Sequence, residues 1–264
     1  MSEKYCQIIL VGHHSEKLIM SIDKERNDKI IYITEKKELS GTKQAAKTLQ
    51  NLVDYYSKRK VEVEKRQFSF DIQMKPIAEL THLIYQQKLI GFNNIKINLS
   101  GGLRYIIIWF YLAGSITRTK VIHADYIYEE EKEVGIIKND YLITIPFGDL
   151  TTKQIEFLEL FFPEFNKYED FFSNNYNYDD NPLLNQKKSY NSIEELRMAL
   201  VKKRGIKITR GSVNGFIQKL NLISALEITP LNENKKMINL NYLGIAYFLH
   251  NIYNKFSLTS STNS

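Results

Sequence analysis

The chain has 264 residues, of which 43% are hydrophobic and 25% are charged, and this ordinary composition excludes wholesale disorder. Its formal net charge is +6, and its single cysteine, Cys6, excludes a disulfide framework and a cysteine-rich zinc site. No apolar run approaches the roughly 18 residues of a membrane span and no secretion signal is apparent, so we expect a cytoplasmic protein with no membrane partner.

Short apolar runs alternate with helical segments over the first 120 residues. The predicted strands are residues 5–11, Ile30–Thr34, Val61–Glu64, Ile95–Leu99 and Lys120–Tyr128. The predicted helices are Thr42–Ser57, Ile77–Leu89 and Leu103–Ala113. A terminal hairpin is expected from Gly135–Lys138 and Tyr141–Pro146, with its turn at Asn139-Asp140. The alternation predicts a Rossmann-like α/β domain, a parallel sheet with helices on both faces.

Three loops follow strands of this sheet, where α/β proteins bind their ligands. The candidate ligand-binding residues are Gly12, His13, His14 and Ser15, then Ser40, Gly41, Thr42 and Lys43, then Asn98, Ser100, Gly101, Gly102 and Arg104. The free N–H groups and dipole of a helix N-terminus favour phosphate, and glycine lets a backbone approach closely. Arg104 and Lys43 add positive charge. The loops therefore predict a ligand that carries phosphates.

Each loop also has a plain structural interpretation. Ser40 or Thr42 can serve only as a helix cap, and the glycine pair after Ser100 can make only a tight turn. The adjacent His13 and His14 cannot share one helical face, so we expect no metal site. Neither GxGxxG nor GxxxxGK[ST] occurs in the chain. A phosphate ligand of another shape than a dinucleotide is the hypothesis that remains.

The C-terminal part begins with a helix predicted over Thr151–Phe162, followed by a loop over Phe165–Asp180. Residues 151–180 carry a formal charge of −5 and residues 181–264 carry +8. We interpret residues near 164–190 as an acidic insertion. Ser192 and Glu195 form a capping box that opens a helix, which Gly205 ends.

A further helix is predicted from Thr209 or Arg210 through Leu220, followed by β-like residues 222–228 and 237–240 and by a final helix over Asn241–Tyr253. A winged helix-turn-helix has the same order of elements, which is two helices, a short turn, a third helix and a basic hairpin. The candidate DNA-binding residues are Thr209, Arg210, Ser212, Asn214, Gln218, Lys219, Lys235 and Lys236. The alternatives are a helical dimerisation or docking module and a basic surface that is merely solvated.

These features together resemble a known family. Gly12 with its polar loop, Ser40-Gly41-Thr42-Lys43 at the head of a helix, and Asn98-Leu99-Ser100-Gly101-Gly102 followed by Arg104 are similar to a CARF domain, the CRISPR-associated Rossmann-like fold. The whole chain resembles the archaeal CARF transcription regulators of the Csa type. The resemblance implies a CARF domain over residues 1–147 and a winged helix-turn-helix domain over residues 148–264.

The resemblance also implies a function in CRISPR antiviral defence. It implies a homodimer that encloses a two-fold symmetric pocket for cyclic oligoadenylate, most often cyclic tetra-adenylate, with no further cofactor. Double-stranded DNA near CRISPR loci would be the second partner. On this hypothesis, the ligand changes the spacing of the two recognition helices and so regulates transcription.

Two other functions remain open at this point. The chain could be a metal-independent ring nuclease that cleaves cyclic tetra-adenylate through the ribose 2′-hydroxyl, with His14, Ser15, Lys43 and Arg104 as candidate catalytic residues. It could also be a binding module that sequesters the ligand or uses the acidic insertion as a scaffold. We favour the regulator without enzymatic activity.

Overall fold

The computed structural model of the protein describes residues 3–36, 42–102, 104–129, 132–145, 147–173, 175–232 and 235–261. The chain divides into two compact units, Met1–Phe147 and Gly148–Ser264. Within the described residues, no helix combines the length and the apolar character needed to span a bilayer.

The first unit is built on one six-stranded sheet. Its strands are β1 (Tyr5–Leu10), β2 (Lys29–Glu35), β3 (Glu62–Phe68), β4 (Asn94–Asn98), β5 (Lys120–Glu129) and β6 (Lys132–Leu142). They lie in the order β3-β2-β1-β4-β5-β6. The pairs from β3 to β5 are parallel, and β6 runs antiparallel to β5. The predicted Rossmann-like sheet is therefore confirmed.

Four helices connect these strands: α1 (Ser15–Ile22), α2 (Thr42–Ser57), α3 (Lys75–Leu89) and α4 (Arg104–Thr117). The sequence predicts α2 with the observed bounds and misses α1, which is only two turns long. One part of the core lies between α1, α2 and the first two strands. It consists of Ile9, Val11, Leu18, Ile22, Ile30, Tyr32, Leu52 and Tyr56.

The expected turn at Asn139-Asp140 is wrong. Strand β6 continues through both residues, and Asn139 pairs with Ala124 on β5 while Asp140 pairs with His123. The two strands come together instead at the pair Glu129 and Lys132. An Asn-Asp dipeptide favours turns in isolation, but here the Asn139 side chain bonds to residues of α1 and of the loop that follows it.

Strand β5 is longer than the sheet edge that it joins. Only Lys120, Val121 and Ile122 pair with β4. The remainder of β5 pairs with β6 alone and forms a two-stranded ribbon beyond the carboxyl ends of the parallel strands. The pairing shifts register after Asp125 and again after Ile127, and such bulges increase twist and redirect side chains.

The second unit contains five helices and one hairpin. Its elements are α5 (Thr152–Leu158), α6 (Pro182–Asn185), α7 (Ile193–Arg204), α8 (Arg210–Leu222), β7 (Leu226–Asn232), β8 (Lys235–Leu240) and α9 (Tyr242–Ser261). Strands β7 and β8 are antiparallel. Tyr190 adds an isolated bridge to Ile238. Ser192 caps α7, and Gly205 ends it with a φ of 65°, as predicted.

Two predictions for this unit need correction. The segment over Phe165–Asp180 is not merely a loop, because it forms two short 3-10 turns whose Phe171 and Phe172 are buried. Phe171 meets Phe162 and Phe248 edge-on at 5.3 Å, so the segment belongs to the core. The stretch from 222 to 225 is not a strand, because α8 extends to Leu222 and the backbone reverses at Ser224 with a φ of 52°.

Candidate functional site

The carboxyl ends of β1 and β4 form the topological switch point of the sheet. The chain leaves β1 toward β2 on one side, whereas β4 lies on the other side and leads onward to β5. A crevice opens where neighbouring connections diverge in this way. The loops that follow β1 and β4, here called the β1 loop (residues 11–14) and the β4 loop (residues 99–102), therefore border the candidate site.

Three glycines hold the two loops in backbone contact. A Cβ added to Gly12 would lie 2.6 Å from the amide nitrogen of Gly102 and 3.3 Å from the Cα of Gly101. A Cβ on Gly101 would lie 2.6 Å from the carbonyl oxygen of Leu10. Gly102 also has a φ of +89°, which L side chains rarely adopt. Glycine is required here because no side chain fits between the loops.

The β1 loop presents exposed imidazoles beside a helix start. His13 and His14 are both exposed, and His14 precedes α1 without a capping side-chain bond to the described helix. Two side chains of α2 hold the loop from behind: the Thr48 hydroxyl donates to the His13 carbonyl at 2.9 Å, and the Gln44 amide donates to it at 3.3 Å. Thr48 and Gln44 are not among the residues predicted from the sequence, because neither lies in one of the three loop motifs.

The β4 loop is held from inside by hydrogen bonds. Asn98 is fully buried, and its amide group donates to the Ser21 hydroxyl at 2.9 Å. Its carbonyl oxygen accepts the Ser100 amide at 2.9 Å. The Ser100 hydroxyl oxygen lies 3.0 Å from that of Ser21 and accepts the Ala124 amide at 2.9 Å. Asn98 and Ser100 therefore use their side chains to shape the loop.

The same network continues to β6. The Ser21 hydroxyl donates to the Asn139 side chain at 2.8 Å, which leaves the Ser100 hydroxyl as the donor between the two serines. Asn139 in turn donates to the Ser21 carbonyl and to Glu25. Glu25 also pairs with Lys96. Burial alone would lower the pKa of Lys96, but its hydrogen bonds with Glu25 and Tyr141 raise it.

Tyr126 contacts the β4 loop, and Lys17 follows the β1 loop in the chain. The Tyr126 hydroxyl donates to the Ser100 carbonyl at 3.1 Å. The Lys17 ammonium, from the first turn of α1, lies 5.8 Å from the centroid of the Tyr126 ring. Both residues are half-buried. Neither is part of the sequence-predicted site, since Tyr126 is distant in sequence and Lys17 follows the loop motif.

The loop after β2 is the least described of the three. Ser40 and Gly41 lie outside the described residues, and only the backbone of Thr42 and Arg104 is described. Lys43 is exposed in the first turn of α2. The structure thus brings the β1 and β4 loops together, and the roles predicted for these five residues stay predictions.

The second unit separates its cations into two groups. Arg197, Lys203 and Arg204 pair with Glu194, Glu159 and Glu156 at 2.6, 2.5 and 2.7 Å. A second group is exposed and forms no ion pair with any described residue. It comprises Lys202, Lys207, Arg210, Lys219, Lys235 and Lys236, and we call it the exposed basic group. Lys202 and Lys207 extend the set that the sequence predicted.

Helix α8 carries most of the other predicted DNA contacts. Ser212 and Gln218 are exposed and Asn214 is half-buried. Thr209 caps the helix, because its hydroxyl accepts the Ser212 amide at 3.2 Å. A Cβ on Gly215 would meet nothing within 4 Å, so this glycine leaves a bare backbone on the surface. Within the described parts of the chain, no cluster of three or more His, Cys, Asp or Glu side chains could hold a metal ion.

Residues 6–138 match the family model of the Csa3 CRISPR-associated Rossmann-like domain. Protein VC1899 from Vibrio cholerae is similar in structure over 94% of this chain and 66% of that chain, with 11% identity and a TM-score of 0.38. Can2 from Sulfobacillus thermosulfidooxidans, solved in complex with cyclic tetra-adenylate, is similar over 97% and 66%, with 13% identity and a TM-score of 0.35.

A type III CRISPR defence DNA nuclease activated by cyclic oligoadenylate is similar over 92% of this chain, with 11% identity and a TM-score of 0.38. The chain spans 66% of the first two structures and 39% of this nuclease. No curated protein matches it. The family match covers half of the chain and includes strands β2 to β5 in full, with most of β1 and β6, and the chain belongs to the family of the Csa3 CRISPR-associated Rossmann-like domain.

Proposed function

We propose that this protein is a CRISPR-associated transcription regulator that binds cyclic oligoadenylate in its first unit and DNA in its second. The observation that carries the proposal is the contact between the β1 and β4 loops at the switch point of a Csa3-type domain. Backbone amides and a helix start there suit a phosphate chain. Cyclic tetra-adenylate is the ring we favour, since Can2 was solved with that ring bound.

A homodimer is part of the proposal, and α4 is the surface that supports it. Helix α4 begins directly after the β4 loop and exposes Tyr105 by 48% and Ile108 by 56%. Ile143 is 91% exposed, and its carbonyl accepts the Tyr111 hydroxyl at 2.6 Å, so it adjoins the same helix. An exposed apolar surface of this kind suits an interface between subunits. Two copies joined through α4 would place their β4 loops side by side around one ring.

We expect Ile108→Lys to convert the dimer to monomer, because a charge would be buried without a partner. The dimer dissociation constant should rise by roughly 100-fold or more. Light scattering over a dilution series measures it. Ile90→Lys is the matched control, since Ile90 is an exposed isoleucine at the end of α3. A dimer of unchanged affinity in the Ile108 variant would contradict the α4 interface.

The second unit supports the DNA-binding part of the proposal. Helices α5, α7 and α8 precede the hairpin β7-β8, and Tyr190 bridges to β8, an order that suits a winged helix-turn-helix. The exposed basic group lies on α7, on α8, between them and on the hairpin. Lysines that form no internal ion pair remain available for phosphates.

An electrophoretic shift assay with the chain's own promoter DNA tests both halves together. We expect the protein to bind the promoter, and cyclic tetra-adenylate to change that affinity by about 5- to 150-fold, the usual range of allosteric coupling. Linear tetra-adenylate is the control ligand. A protein that binds neither DNA nor ring would refute the proposal. Labelled ring recovered as linear product in the presence of EDTA would favour the ring nuclease instead.

A further inference from the structure

Lys17 and Tyr126 form a pair at the edge of the candidate site. Lys17 belongs to the first turn of α1, beside the exposed β1 loop, and Tyr126 lies on the β5-β6 ribbon just beyond the sheet. The 5.8 Å between the ammonium and the ring centroid places a cation and an aromatic face within the span of a single nucleotide. Neither the family match nor the predicted loops assign a role to either residue.

Two structural features direct Tyr126 toward the site. The register of the ribbon shifts between Asp125 and Tyr126, and a bulge of this kind re-aims a side chain. The Tyr126 hydroxyl then donates to the Ser100 carbonyl at 3.1 Å. His123 meets the ring edge-on at a centroid distance of 6.4 Å and an interplanar angle of 88°. The ring is therefore fixed beside the β4 loop by its hydroxyl and by a neighbouring aromatic.

We propose that Lys17 and Tyr126 form a nucleotide subsite in which the tyrosine ring stacks on a base and the lysine neutralises the adjoining phosphate. This inference rests on the proposed function and adds a stacking surface for a base, which backbone amides do not provide. Base–aromatic stacking tolerates every base, but the two fused rings of a purine present a larger face to the tyrosine than the single ring of a pyrimidine. The subsite therefore favours a cyclic oligonucleotide of purines over a cyclic oligonucleotide of pyrimidines with the same number of nucleotides and the same charge.

The test measures the binding of cyclic tetra-adenylate and cyclic tetra-uridylate to the full-length chain by titration calorimetry. We expect Tyr126→Leu to weaken adenylate binding by roughly 30-fold or more, because each of the two subunits of the proposed dimer would lose one stack, and to weaken uridylate binding much less. Tyr126→Phe keeps the ring and should bind adenylate within about 3-fold of wild type, since only a solvent-competed hydroxyl bond is removed. Thermal unfolding of both variants verifies that they are folded.

The phosphate half of the subsite has a separate readout. Lys17→Met removes one ammonium from each subunit of the proposed dimer, so it should lower the slope of log affinity against log salt by about 1.4, the value for two phosphates of a single strand that are no longer neutralised. Lys24→Met is the matched control because Lys24 is exposed just past the opposite end of α1, and its slope should equal wild type.

The outcomes separate this inference from the proposed function. If the wild-type chain binds neither ring, the proposed function itself fails. If the wild-type chain binds cyclic tetra-adenylate and Tyr126→Leu weakens the binding of both cyclic ligands by the same factor, the tyrosine only positions Ser100 and the stacking subsite is wrong. If the salt slope of Lys17→Met equals that of wild type, the phosphate contact is wrong.

Discussion

Replacing Gly12 by alanine should weaken the binding of cyclic tetra-adenylate by on the order of 100-fold while leaving the chain folded. The added Cβ would lie 2.6 Å from the Gly102 amide nitrogen, a backbone atom that cannot rotate away. The β1 and β4 loops must therefore separate by about 1 Å, and a displacement of that size costs on the order of 100-fold where groups must converge. We expect a loss of stability of about 1–3 kcal/mol, as for other overpacked sites.

Calorimetry measures the affinity, and urea unfolding measures the stability of the same preparation. Gly148→Ala is the matched control, because a Cβ at Gly148 meets nothing within 4 Å and its φ is not positive; it should match wild type in both. A folded Gly12→Ala variant that binds the ring with wild-type affinity would mean that the contact between the loops is irrelevant to the ligand.

Removing the charge of Arg210, Lys219, Lys235 and Lys236 together should weaken DNA binding by roughly 100-fold or more near physiological salt. All four are exposed and form no ion pair with any described residue, so their removal leaves no buried carboxylate behind. Each phosphate that the variant no longer neutralises lowers the slope of log affinity against log salt by about 0.9. The proposed dimer carries two copies of each side chain, so a change of slope of about 7 would assign all of them to phosphates.

The control removes the same amount of charge from the first unit. Lys24, Lys58, Lys60 and Lys65 are all exposed, and their replacement by glutamine should leave the slope unchanged. Fluorescence anisotropy on labelled duplex, repeated at several salt concentrations, gives both values. Equal slopes in the two fourfold variants would show that binding follows net charge and not the surface of α8 and the hairpin.

The pattern of apolar residues is sufficient to predict most of the sheet. Helix α2 has its predicted bounds because its apolar spacing includes Leu52, which the core buries completely. The alternation of strands and helices likewise predicts the parallel order, since crossover connections require it. These features depend on local periodicity, which a single sequence displays.

Features that depend on distant partners could not be predicted. Asn139 bonds to Ser21, 118 positions earlier, and this contact outweighs the turn preference of Asn139-Asp140. The direction of a polar side chain is equally hidden: Asn98 and Ser100 stand in a loop sequence suited to a ligand, yet both bond inward. Tyr126 reaches the site only because a bulge redirects the ribbon.

The glycine contact between the β1 and β4 loops also restricts how a signal could leave this site. Two backbones that touch without intervening side chains have no rotamers to exchange, and α2 anchors one of them while the Ser21 network anchors the other. Loops that are anchored in this way are too stiff to close around a bound ligand. In the proposed dimer, rotation of one subunit against the other is the motion that we expect to transmit ligand binding, as in other assemblies whose interfaces switch between two packings.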